Sequence, residues 1–87
     1  MKLTPTSHFL RAYKKLTPDV QEAVDKALRQ FMAAPRHPSL HFERLQGSIF
    51  RTIRVDRRKW RIVLRGDGED FELVDVDRHD HVDQKYG

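Results

Sequence analysis

Between Phe50 and Gly66 the chain reads FRTIRVDRRKWRIVLRG, six arginines and a lysine in seventeen residues, interleaved with aliphatic side chains. A guanidinium is planar, permanently charged and forked, so arginines suit phosphate or carboxylate groups better than lysines would. Further on, RHDH supplies His79 and His81 around Asp80. An imidazole titrates near neutrality and can give or take a proton. The His-x-His pair does not make a zinc site, because there is no cysteine and no well-spaced third ligand. His37 and His41 carry no specific signal. The chemistry on offer is anion binding with one titratable neighbour, and no metal or cofactor is expected.

Such cations need a surface to hold them in register. Strand geometry sends successive side chains to opposite faces, so Ile49, Arg51, Ile53 and Val55 share one face and Phe50, Thr52, Arg54 and Asp56 the other. In the next strand Trp60, Ile62 and Leu64 share one face, with Arg61, Val63 and Arg65 opposite. One side is expected to be buried and the other cationic. Trp60 shares a face with Ile62 and Leu64, so it is expected in the core rather than as a stacking platform for bases, and Phe50 is expected there too.

Eighty-seven residues allow one domain, 1–87, with a single core. No cysteine is present, so packing must supply the stability. The opening MKLTPTSHFL lacks the apolar run of a signal peptide, and no stretch reaches the ~20 apolar residues of a membrane span, so a soluble cytoplasmic protein is expected. The net charge of +4 conceals an asymmetry. Residues 1–65 hold 15 Lys and Arg against 5 Asp and Glu, or +10, whereas residues 66–87 hold 2 against 8, or −6. That layout fits a polyanion or an acidic partner, and equally a surface whose charges balance in space.

MKLTP supplies a brief first strand, stopped at Pro5. From Ser7 the spacing of Phe9, Tyr13 and Leu16 predicts a short basic helix carrying Arg11, Lys14 and Lys15. Thr17, Pro18 and Asp19 then mark a second start: a capping residue, a proline suited to the first helical position and an acid matched to the positive helix end. Val20, Val24, Ala27, Leu28 and Phe31 form its apolar stripe, Ala23 allows a close neighbour, and Pro35 stops it. The two helices form an antiparallel hairpin. Residues 35–48 read as a connection anchored by Leu40, Phe42 and Leu45. Strands follow at about 49–56, 60–66 and 70–77, the last two joined across Asp67-Gly68, a tight-turn signal, to give an antiparallel meander. The tail RHDHVDQKYG reads as a helical turn or a loose end. The expected fold is α+β, in the order β-α-α-β-β-β, with the hairpin on one sheet face and the other face, bearing Arg61 and Arg65, left open.

This order resembles the RelE/ParE toxin superfamily over nearly the whole chain. RLQGSIFRTIRVD, WRIVLR and LVDVDRHD carry the resemblance, with Leu45, Gly47, Arg51, Arg54 and Arg61-Ile62-Val63-Leu64 at its characteristic positions. The ending is similar to a subgroup with the pattern V-D-x-H-D-x-A-Y, found in free-standing proteins and in modules near the front of helicase-like proteins. The resemblance implies a small toxin of a type II toxin-antitoxin pair, held inactive by a cognate antitoxin. RelE-like members cut messenger RNA on the ribosome, and ParE-like members inhibit DNA gyrase without acting as nucleases. Fold alone does not choose between them.

RNA cleavage of the RelE kind requires a deprotonated 2′-hydroxyl, neutralised charge on the scissile phosphate and a protonated 5′-oxygen. Arg61 matches the family's arginine on the second meander strand and is the first choice as phosphate ligand, against the alternatives of a plain surface arginine or one paired with Asp75 or Glu72 on the neighbouring strand. Arg51 and Arg54 match basic positions on the first strand but point to opposite faces, so Arg54 is expected to join Arg61 while Arg51 faces solvent or an antitoxin. Arg57 and Arg58 suit non-specific contact with nucleic-acid phosphates, as does Arg65. His79 matches the pattern's histidine and is the candidate acid or base, with Asp80 to orient it. One departure matters: Asp83 stands where the pattern has tyrosine, and a carboxylate there repels a phosphate. Tyr86 is the candidate displaced aromatic. Two further functions follow from that departure and from the fold: a catalytically inactive RelE-fold binding module, associated with an antitoxin or a helicase-like protein, or a ParE-like gyrase inhibitor.

Overall fold

The computed structural model describes residues 1–55, 59–66 and 68–87. Strand β1 (Lys2–Pro5) leads into helices α1 (Ser7–Lys14) and α2 (Pro18–Ala33); then come a 3-10 turn (Pro38–Leu40) and strands β2 (Glu43–Arg44), β3 (Arg51–Val55), β4 (Trp60–Gly66) and β5 (Asp70–Arg78), and finally helix α3 (His79–Tyr86). The five strands form one sheet in the order β1-β5-β4-β3-β2, with β1 parallel to β5 and every other pair antiparallel.

Both helix starts follow from the local sequence. Thr6 caps α1, its hydroxyl accepting from the Phe9 N–H at 3.1 Å and donating to the Leu73 carbonyl at 2.9 Å, which ties the helix to β5. Thr17 precedes Pro18 at the start of α2, and its hydroxyl turns to Asp19 rather than to the backbone. Tyr13 donates to Asp25 at 2.8 Å and Gln21 donates to the Tyr13 carbonyl at 2.9 Å, clamping the hairpin.

The hairpin covers one sheet face, as expected. Phe9, Val24, Ala27 and Phe31 meet Ile53, Val55, Ile62, Leu64, Phe71, Leu73 and Val76 in a continuous apolar core, against which Trp60 packs. Phe31, Phe42 and Phe71 contact one another edge-on with centroids 5.0–5.9 Å apart. Leu40 is buried and Phe42 and Leu45 are half-buried, so the connection is anchored where its apolar residues fall. The 3-10 turn and the two-residue β2 lie within the stretch expected to be irregular. The tight turn assigned to Asp67-Gly68 falls partly outside the described residues; Gly68 has φ +114°, a conformation suited to glycine. At Gly66 an added Cβ would lie 2.2 Å from the Asp70 carbonyl oxygen, so the hairpin closes too tightly there for a side chain.

Two features depart from the expectation. In the β4–β5 ladder Val63 opposes Asp75 and Leu64 opposes Leu73, leaving Val74 as an extra residue, a β-bulge. And the second sheet face is not left open: α3 packs on β4 and β5, where Val82 is 1 % and Val63 0 % exposed, neither belonging to the hairpin-side core. The tail takes the helical alternative of its reading.

Candidate functional site

The face beneath α3 is built from the outward-alternating residues of three strands. Thr52 and Arg54 come from β3, Arg61 and Val63 from β4, and Asp75 and Asp77 from β5; Arg54 and Arg61 are direct cross-strand partners, as are Arg61 and Asp77. The face is thus zoned, with cations toward β3 and carboxylates on β5.

Helix α3 matches that zoning. His79, Val82, Asp83 and Tyr86 fall at i, i+3, i+4 and i+7, a stripe along one side of the helix. Val82 packs down onto the sheet, and the Tyr86 ring meets Phe50 edge-on at 4.9 Å. Phe50 is therefore covered by the tail rather than by the main core, contrary to expectation. The Tyr86 hydroxyl donates to Asp75 Oδ2 at 2.8 Å, and Asp75 is only 2 % exposed. His8 Nε2 of α1 stands 3.3 Å and Lys85 Nζ 3.8 Å from the same oxygen, while Asp75 Oδ1 accepts from the Val76 N–H, so this buried carboxylate is fully partnered. On the outer side Asp77 receives Lys85 at 2.9 Å and His81 at 3.1 Å.

The titration behaviour follows from these contacts. Burial and the bond to Asp75 push the Tyr86 phenol well above the ordinary tyrosine range. Partial burial works against ionisation of Asp77, but the bonds from Lys85, the Arg78 N–H and His81 outweigh it and hold the carboxyl below its usual value. Arg61 is lowered by burial and by the Arg54 cation beside it, with Asp83 and Glu43 acting in the opposite direction. Among the described residues neither Arg54 nor Arg61 has a carboxylate within ion-pair distance; Arg61 makes one long bond, 3.3 Å, to the Trp60 carbonyl. The pairing of Arg61 with Asp75 or Glu72 is not formed, because Asp75 is occupied and Glu72 takes Arg65 at 2.7 and 2.9 Å.

The expected site residues divide accordingly. Arg54 and Arg61 are brought together across β3 and β4, and the charge of Asp83 on α3 is felt at Arg61. His79 is fixed nearby by its N–H, which bonds the Lys59 carbonyl two residues before Arg61; its ring has no hydrogen-bond partner among the described residues, Asp80 included. Arg51 is on the hairpin side, its guanidinium 5.8 Å from the Phe42 centroid. Arg65 is held by Glu72 at the far end of β4. Arg57 and Arg58 lie outside the described residues. Sequence reading missed Asp75 as the buried anchor of α3, and His8 beside it; the signal available was the stripe of Val82 and Tyr86 over a strand containing Asp75 and Asp77. No group of three or more His, Asp or Glu side chains suited to a metal occurs among the described residues, and no helix there is long and apolar enough to cross a membrane.

No protein-family model matches the chain, and no curated protein matches it. Solved structures do. A YoeB/ParE toxin from Agrobacterium tumefaciens superposes with a TM-score of 0.70 at 22% identity, covering 91% of this chain and 99% of that one. A RelB-RelE antitoxin-toxin complex from Methanococcus jannaschii gives 0.71 at 12% identity over 91% and 93%. YafQ from E. coli gives 0.74 at 10% identity over 93% and 96%. The chain has the RelE/ParE toxin fold.

Proposed function

We propose that this protein is the toxin of a type II toxin-antitoxin pair and acts as a RelE-like, ribosome-dependent endonuclease on messenger RNA. The observation that carries the reading is the Arg54–Arg61 pair: two guanidiniums side by side on adjacent strands, partly desolvated, with no carboxylate partner in ion-pair range among the described residues. Like charges held together in this way call for an anion, and a phosphate has oxygens enough to accept from two guanidinium forks. Arg54 also borders a groove of about 520 Å³ between α2 and the 3-10 turn, lined by Ala23, Ala27 and Leu40 but also by Asp19, Glu22 and Lys26. His79, whose ring has no partner among the described residues, is assigned to proton transfer, and Tyr86, whose hydroxyl is taken by Asp75, to holding α3. The solved complexes of proteins with this fold support a cognate antitoxin as partner.

A second reading has its own observation. With the Tyr86 hydroxyl committed and Asp83 beside Arg61, the fold also suits a binding module without catalysis. Primer extension on a message translated in a reconstituted system separates the two. New 5′ ends that require ribosomes and vanish with Arg61→Ala are the expected result. Their absence with folded protein at high concentration removes the nuclease, and a supercoiling assay then distinguishes gyrase inhibition from a silent module.

A further inference from the structure

The Arg54–Arg61 pair has a built-in neighbour of opposite sign. Val82 buried against the sheet and Tyr86 bonded to Asp75 fix the rotation of α3, and Asp83, on the same stripe, is carried to the side facing Arg61. Two basic residues of the helix, His81 and Lys85, are turned instead to Asp77 and Asp75 on β5, while His79 lies one turn before Asp83 on its own stripe. Asp83 is exposed, and its charge acts on Arg61 in the direction that stabilises the cation. Glu43 of β2 acts likewise, with His41 beside it at 3.7 Å. A carboxylate so placed lowers the potential felt by any anion at the arginines, and the loss scales with the anion's own charge. A phosphodiester inside a chain carries one negative charge, whereas a terminal phosphomonoester approaches two above its second pKa near ~6.

We propose that Asp83 sets the ligand class of this site, so that the arginine pair discriminates against phosphorylated chain ends and free nucleotides, in favour of internal phosphodiesters, more strongly than two arginines alone would. The inference rests on the reading of Arg54 and Arg61 as a phosphate site, and it deepens that reading by naming which phosphates are admitted.

The test uses two small probes at pH 8 and low ionic strength, followed by NMR titration: uridylyl-uridine methylated on its attacking 2′-oxygen, a monoanion, and uridine 5′-monophosphate, a dianion. Removing one nearby exposed charge in Asp83→Asn is expected to tighten the monoanion about threefold and the dianion by the square of that factor, about ninefold. Asp83→Ser should give the same relation, which guards against an effect peculiar to the asparagine. Equal tightening of both probes, or none, overturns the assignment of Asp83. Arg61→Ala is expected to lose both probes; if it binds them as the wild type does, the phosphate site itself is wrong, whatever Asp83 does.

Discussion

The two faces of the sheet are held by different forces. On the hairpin side, aromatic and aliphatic side chains from α1, α2 and three strands form a core in which Phe31, Ile53, Val55, Ile62 and Leu64 have no exposed surface. On the α3 side, Val82 and Val63 are the fully buried apolar contacts, and the rest is a set of directed bonds onto Asp75 and Asp77. Burial of apolar area tolerates small shifts, whereas directed polar contacts specify rotation and position. A helix that must present Asp83 and His79 at defined places is better held in the second way.

The largest expected effect lies in the core. Phe31→Ala removes a ring packed on Phe42 and Phe71 and should cost about 3–5 kcal/mol in chemical denaturation. Next is Asp75→Ala, which strands the Tyr86 hydroxyl; a loss of about 1–3 kcal/mol is expected, with hydrogen exchange accelerating in α3 before the centre of β4. If both regions exchange together, the two faces form one cooperative unit and the contrast between them fails. Tyr86→Phe keeps the contact with Phe50, loses one bond, and should cost about 1 kcal/mol.

The pH dependence sharpens the same contrast. Tyr86 has a raised pKa in the folded state, so its stabilising contribution is complete below the unfolded value near ~10 and is lost as the pH rises toward the folded one. Alkaline titration should therefore release α3 in the wild type, and Tyr86→Phe should remove that dependence. Asp77 is lowered in the folded state, so its contribution is present above the ordinary carboxylate range near ~4 and is lost as the pH falls through the folded value. Asp77→Asn should flatten the acid limb of the stability curve. The smallest effect is predicted for Arg65→Ala: its pair with Glu72 is exposed on both sides, and thermal denaturation should register no more than about 0.5 kcal/mol.

What could be read in advance follows the same division. Apolar spacing and the Thr17-Pro18-Asp19 signal located α2 to within two residues of its end, because that helix is made by the stripe it buries. Period-two alternation separated Arg51 from Arg54 and put Arg54 beside Arg61, which the ladder bears out. Helix α3 was legible only as one of two alternatives for the tail, since Val82 is its single fully buried residue and bonds from His81, Lys85 and Tyr86 to a strand look, in sequence, like a solvated surface. Phe50 was misplaced for the same reason: its cover, Tyr86, lies 36 positions away, and no local pattern connects them.

The extra residue at Val74 acts as a phase shifter in the sheet. Strict alternation from Phe71 and Leu73 would send Asp75 and Asp77 into the apolar side and Val76 out to the polar one; the bulge resets the parity so that Val76 faces the core and both carboxylates face α3. Deleting Val74 would leave a regular strand in which Asp75, Val76 and Asp77 keep their faces. Ironing out the bulge with Val74 still in the chain would instead turn the end of β5 over, taking from α3 the two acids that hold it and placing unpaired charge in the core.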